Sequence, residues 1–155
     1  MRTSLSVPEP EDKYDISALD RSNPESIFHF SRFLIGHTLH ALFGDEAVSR
    51  YRKGKGGLGQ MVEELFFQYE VNGKQEADFN DAGVELKCTP LLKTADGQGY
   101  RIKERLVCTM IDYFKLVDTE FEDSHLLEKC RVMLLLFYLH VKRFATYDYY
   151  FLLRM

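Results

Sequence analysis

The run from Val132 to Val141 is the tightest constraint on how this chain can fold. It reads Val132-Met133-Leu134-Leu135-Leu136-Phe137-Tyr138-Leu139-His140-Val141, nearly all apolar. A helix needs about 20 such residues to span a bilayer, so no membrane segment is expected. A stretch this short and this apolar suits a central β-strand buried on both faces. Such a strand requires covering layers, so helices must pack on the sheet that contains it.

The covering helices are readable upstream. Asn23-Pro24-Glu25 supplies a capping side chain, a proline at the first helical position and an acid at the positive helix end. The segment continues to Phe43 with Phe30, Phe33, Leu34, Ala41 and Leu42 on one side, and Gly44 as its stop. A second helix carries Leu58, Met61, Val62, Leu65 and Phe66 at i, i+3, i+4, i+7 and i+8. Glu63 lies at the edge of that stripe, one turn above Gly59, where a glycine admits a close neighbour or a ligand.

Strands follow the turn signal Asn72-Gly73. In Val84-Glu85-Leu86-Lys87-Cys88-Thr89 the alternation is strict, so Val84, Leu86 and Cys88 face one way and Glu85, Lys87 and Thr89 the other. Asp96-Gly97-Gln98-Gly99 is a turn, Arg105 to Tyr113 reads as a strand, Asp123-Ser124-His125 starts a short helix, and Thr146 to Leu153 reads as a last strand. The expected class is α/β (α+β), a mixed β-sheet flanked by helices. Residues 1–20, with Pro8-Glu9-Pro10-Glu11-Asp12, read as a flexible lead-in that lacks the apolar core of a signal peptide. Residues 21–155 form one domain, a length sufficient for a hydrophobic core.

Composition narrows the function. Cys88, Cys108 and Cys130 are odd in number and widely spaced, which argues against disulfides and zinc and for small core residues in a reducing cytoplasm. His37 and His40 share a helix face but have no carboxylate or thiol near them in sequence, so they read as structural. The net charge of -4 is unlike a general nucleic-acid binder. The loop Arg50-Tyr51-Arg52-Lys53-Gly54-Lys55-Gly56-Gly57 is nevertheless densely basic, and such a strip can hold a phosphate backbone.

The chemistry concentrates in Asp78-Phe79-Asn80-Asp81-Ala82-Gly83-Val84-Glu85-Leu86-Lys87. Glu85 and Lys87 project from one strand face, and the glycine suits a turn that returns Asp78 to the same edge. Two adjacent carboxylates repel unless a cation lies between them, and hard oxygen ligands with an open shell suit Mg²⁺. An adjacent lysine can orient and help deprotonate a water that attacks phosphorus. Taken alone, an acid at a loose interval from Glu-x-Lys occurs by chance in many proteins.

The joint pattern is more specific. Lys55-Gly56-Gly57-Leu58-Gly59-Gln60-Met61-Val62-Glu63, Ala77-Asp78-Phe79 and Ala82-Gly83-Val84-Glu85-Leu86-Lys87-Cys88-Thr89-Pro90 resemble the MutH mismatch-repair endonucleases and the related GATC-cutting restriction endonucleases of the Sau type. Tyr100-Arg101-Ile102-Lys103-Glu104-Arg105-Leu106-Val107 with Ile111-Asp112-Tyr113 looks closer to the restriction enzymes. The resemblance covers roughly residues 50–140. It implies a restriction-endonuclease-like core that cuts double-stranded DNA at GATC with Mg²⁺. It also implies that Asp78, Glu85 and the Leu86 carbonyl bind the metal, with Glu63 as accessory carboxylate, Lys87 acting on the water and Lys129 as a second assisting lysine. Lys55 and Gly56, with Arg52 and Lys53 of the basic loop, would lie at the DNA, and the protein would pair as a homodimer or dimerise on DNA.

The chain stops at Tyr149-Tyr150-Phe151-Leu152-Leu153-Arg154-Met155, in the middle of an apolar strand. We expect a catalytic domain truncated at its C-terminus relative to a longer protein, because an edge left there invites aggregation. Competing expectations are a non-catalytic DNA-binding copy of the same fold, a methyl-directed nicking enzyme of mismatch repair, and an interaction protein whose contact patch is the aromatic C-terminus.

Overall fold

The computed structural model describes residues 15–52, 57–70, 76–142 and 150–154. Among them is a four-stranded mixed sheet of β1 (Val84–Lys93), β2 (Tyr100–Ile102), β3 (Val132–Leu139) and β4 (Phe151–Arg154), in the order β2-β1-β3-β4. β1 and β3 run parallel in register from Val84↔Val132 to Leu91↔Leu139, and both outer strands are antiparallel to them. A parallel pair needs a crossover connection. Residues 103–131 supply it and carry α4 (Tyr113–Leu116) and α5 (His125–Cys130). The helices before the sheet are α1 (Pro24–Phe30), α2 (Leu39–Arg52) and α3 (Leu58–Met61). Helices against a mixed sheet are the expected α+β arrangement.

Alternation along β1 decides the location of the core. Val84, Leu86, Leu134 and Leu136 share one face, are at most 6% exposed, and pack with α1 and α3. Phe30, Phe66, Phe67 and Phe79 continue this core as a chain of rings, with centroids 4.9 Å apart for Phe30–Phe66 and Phe66–Phe67 and 4.8 Å for Phe67–Phe79. The expected two-sided burial of β3 holds on one face alone. On the other face Met133, Leu135 and Phe137 are only half-buried, because among the described residues that side is approached by the six-residue α5.

Several elements differ from expectation. The helix expected to run to Phe43 ends at Phe30 and gives way to a 3-10 turn over Ser31–Leu34. The chain then pairs with β4, Gly36 N donating to the Phe151 carbonyl (2.8 Å) and Phe151 N to the His37 carbonyl (3.2 Å). These long-range bonds outcompete helical ones, and α2 restarts after Thr38, whose hydroxyl accepts from Ala41 N (3.0 Å). Gly44, at φ 75° and ψ 175°, interrupts the helical backbone as the expected stop, and helix resumes beyond it, so α2 is two segments joined at a kink. The kink lies between His40 and Asp45, whose Nε2 and Oδ1 are 2.8 Å apart, so His40 does have a carboxylate beside it.

Residues 105–112 are not a strand. Lys103 N donates to the Pro90 carbonyl (2.9 Å), and the ladder ends there. Farther along, the edge of β1 is occupied by Phe79, which bridges Val84, and by Asp78, which takes the Leu86 N–H. A continuing strand has no place to pair, and Val107 and Met110 are left 70% and 90% exposed. The three cysteines are free and half-buried rather than in the core, although Cys88 packs against it. Leu19, inside the expected lead-in, is 8% exposed and joins the core. The Asn72-Gly73 turn lies outside the described residues, and so does the first half of the last expected strand, residues 146–149, with β4 formed in the described half.

Gly83 has φ 64° and ψ 31°, and closes the 3-10 turn Asn80–Ala82. A Cβ there would meet nothing within 4 Å, so the penalty for a side chain is conformational rather than steric. Gly83→Val is expected to lower stability by about 1–2 kcal/mol, the usual left-handed cost, with Gly83→Asn losing less. Urea unfolding of the two variants checks this.

Candidate active site

The site is built on the free edge of β1. Phe79 is 0% exposed and fixed among the rings of Phe67 and Tyr69 (4.8 and 5.2 Å). Phe79 N donates to the Val84 carbonyl (2.9 Å) and Val84 N to the Phe79 carbonyl (3.2 Å), which closes the turn. Asp78, one residue earlier, is thereby carried to the strand edge, where Oδ2 accepts from Leu86 N at 2.8 Å. In a strand, the N–H and C=O of one residue point to the same side. The Leu86 carbonyl therefore faces the same edge as Asp78.

Glu85 projects from the face opposite the aromatic core and is 1% exposed. Its Oε1 lies 2.7 Å from Lys87 Nζ and 3.5 Å from Lys129 Nζ. Lys87 is its neighbour by strand alternation, whereas Lys129 arrives from α5, which starts at Ser124 where the hydroxyl caps Leu127 N (3.2 Å). Glu85 Oε2 is buried with no hydrogen-bond partner among the described residues.

Glu63 completes the cluster. It lies just past α3, in a π-helical turn over Val62–Phe66 in which Phe67 N bonds the Val62 carbonyl (3.1 Å). Such a turn re-aims the side chains it carries and recurs at functional sites. Glu63 is 7% exposed. Burial, and then the charges of Asp78, Glu64 and Glu85, push its carboxyl up to about 7, against an opposing pull from Lys129. Burial also raises Asp78; the Leu86 N–H opposes this, Glu85 reinforces it, and both lysines oppose it. Burial pulls the Lys87 ammonium down, but its hydrogen bond and charge attraction to Glu85, with Asp78 beside them, outweigh that and raise it. The Cys88 thiol is driven up to about 12 by burial and by Asp78 and Glu63, so it stays protonated and is no nucleophile.

The structure thus brings Asp78, Glu85, Lys87, Glu63 and Lys129 together, with the Leu86 carbonyl at the same edge. Three carboxyl groups face two ammonium groups, and Glu63 relieves part of the imbalance by holding its proton up to about pH 7. Among the described residues no group of three or more His, Cys, Asp or Glu side chains is placed so that it could hold a metal ion. The donor set still suits a hard divalent cation: it is all oxygen, and one buried carboxylate oxygen is unsatisfied. The space above Gly59 is open, since a Cβ there meets nothing within 4 Å. The basic loop falls outside the description: Lys53, Lys55 and Gly56 are not among the described residues, nor is the side chain of Arg52. Two features escaped the sequence. The π turn has no pattern distinct from an α-helix, and the isolation of the Thr89 hydroxyl on the Glu85 face depends on packing.

An acid that keeps its proton to about pH 7 when folded, against 4.5 ordinarily, binds more protons folded than unfolded between those values. Stability therefore falls as pH rises through that window. In EDTA the thermal midpoint is expected to drop from pH 4.5 to pH 7.5, and Glu63→Gln to flatten that drop. Scanning calorimetry across the range checks it.

Comparison with known proteins bears on this cluster. The family profile described as "DNA mismatch repair enzyme MutH" matches residues 67–153, more than half of the chain. The type II restriction enzyme Sau3AI of Staphylococcus aureus is 31% identical over 118 residues, which is 76% of this chain and 23% of that enzyme. The chain therefore spans less than a quarter of the length of that relative. Asp78, Glu85, Lys87 and Lys129 all fall within the profile match, and together with the extent of that identity this shows that the chain is a member of the MutH family.

Proposed function

We propose that this chain is the catalytic part of a Mg²⁺-dependent endonuclease that cuts double-stranded DNA, at GATC, in a restriction system. The observation that carries the reading is the buried Glu85 carboxylate, with one oxygen unsatisfied, beside the strand edge that holds Asp78. A charge taken out of water costs stability unless it is paired. A half-filled carboxylate next to another carboxylate is best accounted for by a cation that binds when the enzyme works.

Asp78, Glu85 and the Leu86 carbonyl would hold that ion, with Glu63 behind them. The ion supplies Lewis acidity and stabilises the negative charge that develops on the phosphate. Lys87, 23% exposed at its side chain, orients the attacking water and relays its proton. Lys129 approaches Glu85 from α5 and balances the acidic cluster, leaving Lys87 free to turn toward the water. Asp78 is held in one rotamer by the Leu86 N–H, so its remaining oxygen is aimed before the ion arrives. Recognition of GATC, pairing of two copies, and the contribution of Lys53, Lys55 and Gly56 to DNA binding belong to this proposal through the family alone. The restriction-enzyme relative favours a restriction role over mismatch repair. An idle DNA-binding copy of the fold has no use for the buried Glu85 and the lysines around it.

The test is plasmid cleavage with mapping of the ends, on DNA with and without adenine methylation. Cutting at GATC is expected with Mg²⁺ and none in EDTA. Lys87→Gln keeps a hydrogen-bond donor to Glu85 but removes the charge. It is expected to slow cutting by about 10²-fold or more while the circular dichroism spectrum stays that of the folded protein. Full activity of that variant would remove Lys87 from its assigned role.

A further inference from the structure

Thr89 continues the face that carries Glu85 and Lys87, two residues farther along β1 and opposite Phe137 of β3. It is 4% exposed, and its hydroxyl is buried with no partner among the described residues. Valine has the same shape and the same strand preference, and would fill the position without stranding a polar atom. An unsatisfied buried hydroxyl in a folded protein calls for an explanation, and a role in the working site is one of the few available.

The neighbours supply that role. Lys87 lies between Glu85 and Thr89 in the order of residues along this face of β1, and each of these neighbours carries an unsatisfied buried oxygen, Glu85 Oε2 and Thr89 Oγ1. Its ammonium is drawn to Glu85 Oε1 at 2.7 Å, away from Thr89. An ammonium has three donors, and the structure occupies one of them at that carboxylate. When a cation takes the open Oε2 of Glu85, its charge repels the ammonium held at Oε1 and draws the carboxylate's charge, so the Lys87 pairing weakens. A largely buried ammonium without an acceptor is costly. The next polar side chain along its own face is Thr89.

We infer that Thr89 is a positioning residue whose hydroxyl receives the Lys87 ammonium once Glu85 engages the metal. This rests on the metal-dependent reading above. In the structure described, Lys87 neutralises Glu85; with the ion bound, Thr89 would hold the Lys87 ammonium in place of that carboxylate. The orphan hydroxyl is then an acceptor kept open for the second position of a two-position lysine.

The experiment compares wild type, Thr89→Val and Thr89→Ser by thermal unfolding in EDTA, by unfolding with saturating Ca²⁺, and by cleavage at saturating Mg²⁺ and DNA. Thr89→Val is expected to unfold in EDTA at the wild-type temperature or higher. It is expected to gain much less from Ca²⁺ than wild type does, because the displaced ammonium has no acceptor. Its turnover is expected to fall about tenfold, as for a misplaced catalytic group, with the KM for DNA unchanged and with Thr89→Ser restoring both properties. A clear loss of stability for Thr89→Val in EDTA overturns the inference, since the hydroxyl would then be bonded in the resting fold. Equal Ca²⁺ gains in wild type and Thr89→Val also overturn it, while leaving the endonuclease reading in place. If wild type fails to cut but its Ca²⁺ gain is lost in Thr89→Val, the endonuclease reading falls and the assignment of Thr89 stands.

Discussion

Glu85 is the constraint around which the rest is arranged. A carboxylate 1% exposed at the second position of β1 would destabilise any fold that left it alone. Two ammonium groups, one from two residues along the strand and one from a helix within the crossover, hold one of its oxygens. The other oxygen is left open. The position of α5, the parallel pairing of β1 with β3, and the crossover between them all serve to bring Lys129 to this point. That geometry makes the charge tolerable and leaves it incompletely satisfied.

The second requirement is an unpaired strand edge. β1 is paired along its length with β3, but on its other side β2 covers only Leu91–Lys93 and Lys103 N reaches Pro90. Proline suits this boundary, since it offers a carbonyl and has no N–H to donate. Nearer the start of β1, the edge is filled by the Phe79 bridge and by the Asp78 carboxylate rather than by a strand. A hydrophobic anchor thus sets a polar residue: Phe79 is held in the aromatic core, and Asp78 is carried to the edge because it is adjacent. The interruption of the sheet that leaves residues 105–112 unpaired also gives Asp78 its place.

The cluster trades stability for readiness. Burial first, and then repulsion from Asp78, Glu64 and Glu85, pushes the Glu63 carboxyl up to about 7. Two lysines offset part of that repulsion and no more. Perturbed groups of this kind gather at functional sites because the environment that suits a bound cation is strained without one.

Much of this was legible in one dimension. Period-two alternation placed Glu85, Lys87 and Thr89 on one face, because side-chain direction along a strand is local geometry. The stripe from Leu58 to Phe66 marked a buried helix, and the apolar run from Val132 marked an inner strand, because burial demands apolar side chains in register with the backbone. Other features depend on partners distant in sequence. The helix expected to reach Phe43 breaks because residues 36–37 bond to Phe151, over a hundred residues away. The strand expected from Arg105 has no edge to join because Asp78 and Phe79 occupy it. Burial of Glu85, its pairing with Lys129, the π turn at Glu63 and the isolation of the Thr89 hydroxyl are likewise set by packing. Propensity and periodicity report what a segment prefers by itself, whereas hydrogen bonds and charge pairing between distant segments decide which preference survives.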